Sequence, residues 1–466
     1  MAAGVTTFWT DVREALAGGP ERDYTQGPVG RAILLLAVPM VLEMALESLF
    51  AVVDIFWVAR LGRSAAAAVG LTESIETIVY AIATGISVGT TAMVARRIGE
   101  KDHEGAAVAA AQALILGVVV AVAIGVPGAF FARELLELMG ADPQTLAIGT
   151  AYTRIVQSAT PILLVLFLLN AIFRGAGDAV IAMRVLWVAN FVNLALDPCF
   201  IYGWGPFPKL GVAGAAVATT IGRSVGVCLQ IYTLFHDHSR VKICRQHLRI
   251  EPAIIRRLAK VSFTGMIQYI IPTGSWTALM RFTSTFGSAA LAGYTIAIRI
   301  VVFSILPSWG MSNAAATLVG QNLGAGQPER AEVSAWRTGL YNMAFLGCLG
   351  LVFLLFPTEL VGLFSADEAV RQAGAECLRI MSYGYLFYAY GMVMSQSFNG
   401  AGDTATPTWI NLVCYWCLQI PLAWFLAFRM GLDERGVFWA IPAAESVLAV
   451  VAILLFRQGR WKLQRI

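Results

Sequence analysis

The sequence predicts an all-α polytopic membrane protein, with about twelve transmembrane helices forming two six-helix bundles related by a parallel internal repeat. Three observations carry this prediction. The 466 residues are 58% hydrophobic and 13% charged, with a mean hydropathy of +0.70. Soluble domains carry about 45–50% apolar and about 25% charged residues. Long apolar runs recur along the whole chain, and the landmarks of its first half reappear in the second at one fixed offset.

The runs fall near 32–59, 66–94, 105–131, 145–173, 179–202, 211–235, 255–286, 288–319, 334–356, 370–398, 406–430 and 437–456. Each is long enough for a helix across roughly 30 Å of hydrocarbon, which takes about 20 residues. None alternates as a barrel strand would. Placing both termini in the cytoplasm puts about three times as many Lys and Arg on inside segments as outside, the bias expected of that orientation in an inner (cytoplasmic) membrane. The net charge of +4 is too small to suggest a nucleic-acid partner. Residues 1–30 are mixed and polar, and no cleavable signal is expected there. TTFWTDVREALAGG reads as a short helix on the membrane surface.

The repeat has an offset of 225 residues, as from Gly62 to Gly287. Gly99 matches Gly324, Arg154 matches Arg379, and Gly211–Val212 matches Gly436–Val437. GAGD at Gly175–Asp178 returns at Gly400–Asp403. Six spans per copy is an even number, so both copies enter the membrane with the same orientation. Such repeats are related by an axis along the membrane normal and usually bind substrate between them. The expected organisation is a cytoplasmic segment 1–30, a first lobe 31–235, a cytoplasmic linker 236–254, a second lobe 255–456 and a cytoplasmic tail 457–466. The linker histidines read as solvated rather than as a metal site. The seven cysteines read as structural thiols.

A charge inside a span costs about 2.5–3.5 kcal/mol or more, so each one calls for a role. The first span has Glu43, Glu47 and Asp54, which share one helical stripe and suggest a cation or proton path. Near the helix ends, wet surroundings would serve the two glutamates equally well. In the fifth span, Asn193 and Asp197 stand four apart on one face, directly before Pro198. A proline inside a helix leaves a carbonyl without its partner. Carboxylate, amide oxygen and free carbonyl are ligands for Na⁺ and could equally hold a proton. Thr219 in the sixth span could add a hydroxyl. At the offset of 225 residues, Asp54, Asn193 and Asp197 become Leu279, Leu418 and Leu422. The acidic set therefore belongs to the first half, with Gln419 one residue from the Asn193 equivalent. The second half offers Gln268, Arg281, Arg299, Tyr388 and Met392 as a weaker set for a substrate cavity, and Glu445 as a possible partner of Arg299.

VDIFWVARLG after Pro39, NLALDP, GVAGAAVAT, FRGAGD and NGAGDTATPTW together resemble the multidrug and toxic compound extrusion (MATE) family, over roughly residues 31–456. The resemblance implies two six-helix lobes forming a V and efflux driven by inward Na⁺ or H⁺. It also implies a first-lobe cation site, here Asp54, Asn193 and Asp197, with Tyr152 and Thr219 beside it. Acids used by one branch in the seventh and tenth spans are missing from IQYIIPTGSWTALM and YGYLFYAYGMVMSQSF. The implied cargo is a small organic cation or amphipathic drug, moved by a monomer in the bilayer with no cofactor beyond the coupling ion. A flippase for lipid-linked precursors is the rival reading. An enzyme is not expected, since HExxH, GxSxG and a nucleotide-binding loop are all missing.

Overall fold

The computed structural model describes residues 2–19, 22–236 and 239–464. The side chains of 2–8, 50–55 and 59 lie outside that description, so Asp54 is located by its helix backbone alone.

The chain is helical throughout its apolar runs. Nine described helices are long and apolar enough to cross a membrane. A tenth span is the pair Pro143–Ser158 and Thr160–Ala176, bent by 43°. The helix Pro252–Thr283 and the pair Glu368–Ser382 and Tyr385–Gly400 complete the series of twelve, as the seventh and tenth members. In chain order the first to third spans are Val29–Ala59, Arg63–Gly99 and His103–Phe130. The bent pair is the fourth, and Ala179–Tyr202 and Val212–Phe235 are the fifth and sixth. Ser288–Gly324 and Pro328–Leu355 are the eighth and ninth. Ala405–Arg429 and Asp433–Arg457 are the eleventh and twelfth.

The repeat extends to backbone detail. Arg63–Gly99 and Ser288–Gly324 both have 37 residues and begin after a glycine at positive φ, Gly62 at 104° and Gly287 at 113°. Gly177 and Gly402 end the two GAG turns at 88° and 87°. Asp178 N–H donates to Phe173 O, and Asp403 N–H donates to Phe398 O. Lys101 has a φ of 60° where its counterpart Gly326 has 69°. A lysine there tolerates a region that glycine enters freely.

The helices group into two compact units. One holds Met1–Asp23 and Leu42–Met266, the other Tyr24–Val41 and Ile267–Ile466. The division falls inside the first and seventh helices, not in the 236–254 linker, and glycine explains why. Gly310 lies against the Met40 carbonyl, where a Cβ would stand 2.4 Å away, so the start of the first span packs in the second unit. Gly85 lies against the Ser262 carbonyl, at 2.5 Å from an ideal Cβ, so the start of the seventh packs in the first. Pro39 and Pro272 sit close to the two division points.

Within the first unit the sixth span packs against the fifth through small residues, as expected where lipid offers no hydrophobic drive. An ideal Cβ on Gly214 would stand 2.3 Å from Phe200 O, and one on Gly222 2.6 Å from Ala189 O. Gly214→Ala should therefore force the backbones apart and cost about 1–3 kcal/mol. A lowered unfolding temperature of the purified protein checks this.

The linker is docked from Val241 onward, while His236 is exposed as expected and His238 lies outside the described residues. Val241 and Ile243 join the apolar core formed by Val94, Leu169 and Phe173. The fully buried Gln112 donates to His247 O and Arg249 O and accepts from Glu251 N–H. His247 is buried, with Nε2 2.7 Å from Glu104 Oε1, while its Nδ1 accepts the Cys244 N–H. Its ring is part of the fold, which the run of polar neighbours concealed. Arg240 reaches Asp178 at 3.5 Å.

Burial pushes the Asp178 carboxyl above its ordinary value of 3.8, against the lowering pull of Arg240. A carboxyl raised on folding favours the folded state most below its unfolded value and loses that contribution as pH climbs through its folded value. The expected slope is a stability that declines from about pH 4 upward, flattened in Asp178→Asn. Unfolding temperatures of both proteins between about pH 4 and 7 measure it.

Candidate cation site

Asn193 and Asp197 lie one turn apart on the fifth span and are both buried, at 6% and 1% exposure. The Asn193 amide donates to Asp197 Oδ1 and to Thr219 Oγ1 of the sixth span, each at 3.2 Å. Three oxygen-bearing side chains from two helices thus meet in one place. The close approach of Gly222 to Asn193, 3.0 Å from an ideal Cβ to the Asn193 Cβ, brings the threonine within reach. With its nitrogen committed as donor, the amide leaves its carbonyl oxygen available. Pro198 removes the N–H that would bond the Leu194 carbonyl. Carboxylate, amide, hydroxyl and carbonyl oxygens suit a hard cation, and the same carboxylate can take a proton. Tyr152 is half-buried on Pro143–Ser158, a helix that packs against the sixth span. Asp54 shares a helix with the other two acids, but its side chain lies outside the described residues.

Glu43 and Glu47 belong to a second polar network in the same unit. Glu43 is buried and its Oε1 lies 3.4 Å from Arg174 Nη1. Its Oε2 has no hydrogen-bond partner among the described residues. Arg174, in the last turn of Thr160–Ala176, reads in sequence as an inside-loop charge but is only 13% exposed and turned to Glu43. Glu47 is half-buried, within the electrostatic reach of Arg223 and Arg174.

Six participants went unassigned in the sequence. Glu76 is buried and accepts from Gln157 Nε2 at 3.0 Å. Arg223 donates to the Tyr80 hydroxyl at 3.0 Å, and the Thr72 and Thr153 hydroxyls bond at 2.8 Å. Thr72, Glu76 and Tyr80 are spaced by four, as are Thr153 and Gln157. That periodicity was the available signal for one polar face on each helix.

The second-half candidates separate. Arg281 and Arg299 are exposed, so Arg299 is not the counter-charge of the buried Glu445. Gln268 is half-buried, and its backbone carbonyl accepts from Asn411. Met392 is buried and its sulfur accepts from Ser308 at 3.4 Å. Tyr388 lines a pocket beside Glu445.

Buried carboxylates on the spans of an internally duplicated helix bundle define the secondary-transporter class. The MatE family model matches residues 39–199 and 266–425. The chain belongs to the MatE family. It is 26% identical over 443 residues to the probable multidrug resistance protein YoeA of Bacillus subtilis, covering 94% of this chain and 95% of that one. It is 24% identical to the probable multidrug resistance protein NorM of Thermotoga maritima, covering 93% of each. Among solved structures, a MOP superfamily transporter from Pyrococcus furiosus superposes with a TM-score of 0.89 at 27% identity, over 95% of this chain and 98% of that one.

The Glu43–Arg174 pair gives a direct test of the second network. Arg174→Leu strands a buried carboxylate and should cost about 3–5 kcal/mol, whereas Glu43→Gln with Arg174→Leu should restore most of it. Thermal unfolding of the single and double variants compares them.

Proposed function

We propose that this chain is a secondary active multidrug efflux antiporter. It exports cationic or amphipathic organic compounds in exchange for Na⁺ or H⁺ by alternating access. The observation that carries this reading is the cluster of buried Asn193 and Asp197 with half-buried Thr219 in a MatE family chain. The names of the Bacillus and Thermotoga relatives support multidrug cargo. Neither they nor the Pyrococcus transporter lends support to a lipid-linked flippase.

In this reading Asp197 and Asp54 hold the coupling ion, with Asn193, Thr219 and Tyr152 around it. Two nearby carboxylates are costly while both are charged, so a cation or a proton between them relieves the repulsion. Neutralising the cluster next to Pro198 changes the fifth helix, which can bend where its hydrogen bond is missing. Each cation moving inward gains about 2.3 kcal/mol per 100 mV of membrane potential. Exchange for a neutral amphipath uses that gain in full. One-for-one exchange with a monovalent drug cation cancels it, leaving the ion's concentration gradient as the drive. The two lobes are 31–235 and 255–456 in chain order, with the starts of the first and seventh helices packed in the opposite unit. The protein sits in the cytoplasmic membrane with both termini inside and works as a monomer without a further cofactor.

The test is efflux of a fluorescent organic cation from proteoliposomes under a Na⁺ gradient and a pH gradient imposed separately. Wild-type protein should respond to one of them, which names the coupling ion. Asp197→Asn and Asp54→Asn should each lower gradient-driven efflux at least about tenfold, since an amide cannot carry the coupling charge. Unchanged efflux from folded Asp197→Asn protein sinks the reading.

A further inference from the structure

The polar segment between the two halves carries chemistry that the cation site does not use. Gln112 holds the backbone of His247, Arg249 and Glu251, and the His247 ring is buried against Glu104. Val241 and Ile243 are tucked into the apolar core beside it. The segment is therefore a fixed platform, and its backbone decides which side chains stay outside. Arg245, Leu248, Arg249 and Ile250 are all exposed. The seventh helix, Pro252–Thr283, starts directly afterwards. Its Leu258 and Ser262 are buried beside Gly89 of the second span. Arg256, Lys260 and Phe263, spaced by four and three, are exposed and form a stripe on the opposite side of the helix, with the exposed Arg257 next to it.

The side chains of Arg245, Arg249, Arg256, Arg257 and Lys260 have no hydrogen bond or ion pair among the described residues. Elsewhere on the inside segments the protein answers its own charges. Arg97 pairs with Glu100, Arg240 with Asp178 and Lys462 with Glu332, while Arg184 and Arg330 donate to backbone carbonyls. Glu251 is the one acid between residues 241 and 263. The bias of Lys and Arg toward inside segments accounts for a basic loop, but not for a fixed surface that leaves its charges unanswered. Nor does it account for the apolar side chains set among them. Leu248 is 50% exposed, Ile250 63% and Phe263 59%. Basic side chains interleaved with aliphatic and aromatic ones suit the boundary between lipid head groups and acyl chains. Clusters of about 4–8 Lys and Arg beside the cytoplasmic end of a span attract anionic lipid, and the guanidinium fork fits a phosphate.

We propose that the linker and the outward stripe at the start of the seventh helix form a docking surface for anionic phospholipid. Arg245, Arg249, Arg256 and Arg257 take the phosphodiester head groups, and Leu248, Ile250 and Phe263 enter the acyl boundary. The ligand is a lipid-borne phosphate, with its acyl chain as part of what is recognised. Its place on the inner leaflet rests on the cytoplasmic placement of the linker proposed above. The lipid preference itself depends neither on that placement nor on the antiporter reading.

The probe is short-chain phosphatidylglycerol against phosphatidylcholine of the same chain length, titrated by calorimetry into purified full-length protein in a neutral detergent. Wild type should bind phosphatidylglycerol at least about tenfold more tightly, and added salt should narrow the difference. The patch variant R245Q/R249Q/R256Q/R257Q removes only exposed charges and should lose that preference at an unchanged unfolding temperature. A control that removes as many exposed inside charges elsewhere, Lys101→Gln with Arg337→Gln, Arg457→Gln and Arg460→Gln, should keep it. Leu248→Ser with Ile250→Ser should weaken phosphatidylglycerol about fivefold with every charge in place. Inorganic phosphate at equal concentration should leave the lipid bound. Equal affinity of wild type for the two lipids overturns the proposal. So does a preference that survives the patch variant or that the control loses equally. Displacement by inorganic phosphate overturns it as well, marking a site for free anions instead of lipid.

Discussion

A carboxylate inside an apolar bundle must be matched by a group from elsewhere, because neither lipid nor a neighbouring leucine solvates it. Across the described spans, this requirement settles which helices stand together. Glu43 of the first span meets Arg174 of the fourth, and Glu76 of the second meets Gln157. Asp197 of the fifth is tied through Asn193 to Thr219 of the sixth, and Glu445 of the twelfth to Tyr415 of the eleventh. Between the fifth and sixth spans the bond closes because the backbones nearly touch: Gly214 and Gly222 each have a fifth-span carbonyl where a side chain would go.

The two copies of the repeat divide scaffold from chemistry. Helix lengths, the positive-φ turns at Gly62 and Gly287, and the paired GAGD turns coincide at a fixed offset. The polar groups do not. The positions of Asn193 and Asp197 hold leucines in the second copy, where Gln419 is buried on a stretch of π-helix and Glu445 comes from the neighbouring helix. A backbone turn is satisfied locally, so duplication preserves it. A buried charge is satisfied by tertiary partners, and each copy solves that separately. A duplicated scaffold with unlike polar sites suits exchange of unlike solutes, an inorganic ion and an organic molecule.

Much of this was legible in the chain itself. The apolar runs place twelve helices to within a few residues, because hydrocarbon thickness fixes their length and apolar composition. The offset of 225 residues exposes the repeat, because the turns that define it are short and glycine-dependent. Asn193 and Asp197 stand out because spacing by four on a helix is a statement about one face. The side chains at 72, 76 and 80 were legible by the same rule.

Other features were decided only by tertiary packing. Arg174 reads as a loop charge until the fourth span is seen to bring it to Glu43. His247 reads as solvated until Gln112 is seen to hold its loop down. The π winding of Leu412–Gln419 has no marker in LVCYWCLQ, since it depends on what the outward and inward faces touch. The pairing of Glu445 with Tyr415 instead of Arg299 lies equally beyond a one-dimensional reading. The sequence by itself determined the helices, the repeat and the fifth-span carboxylate. Which partner neutralises each buried charge was settled only in three dimensions, because that depends on helix neighbours far apart in the chain, and no local spacing encodes them.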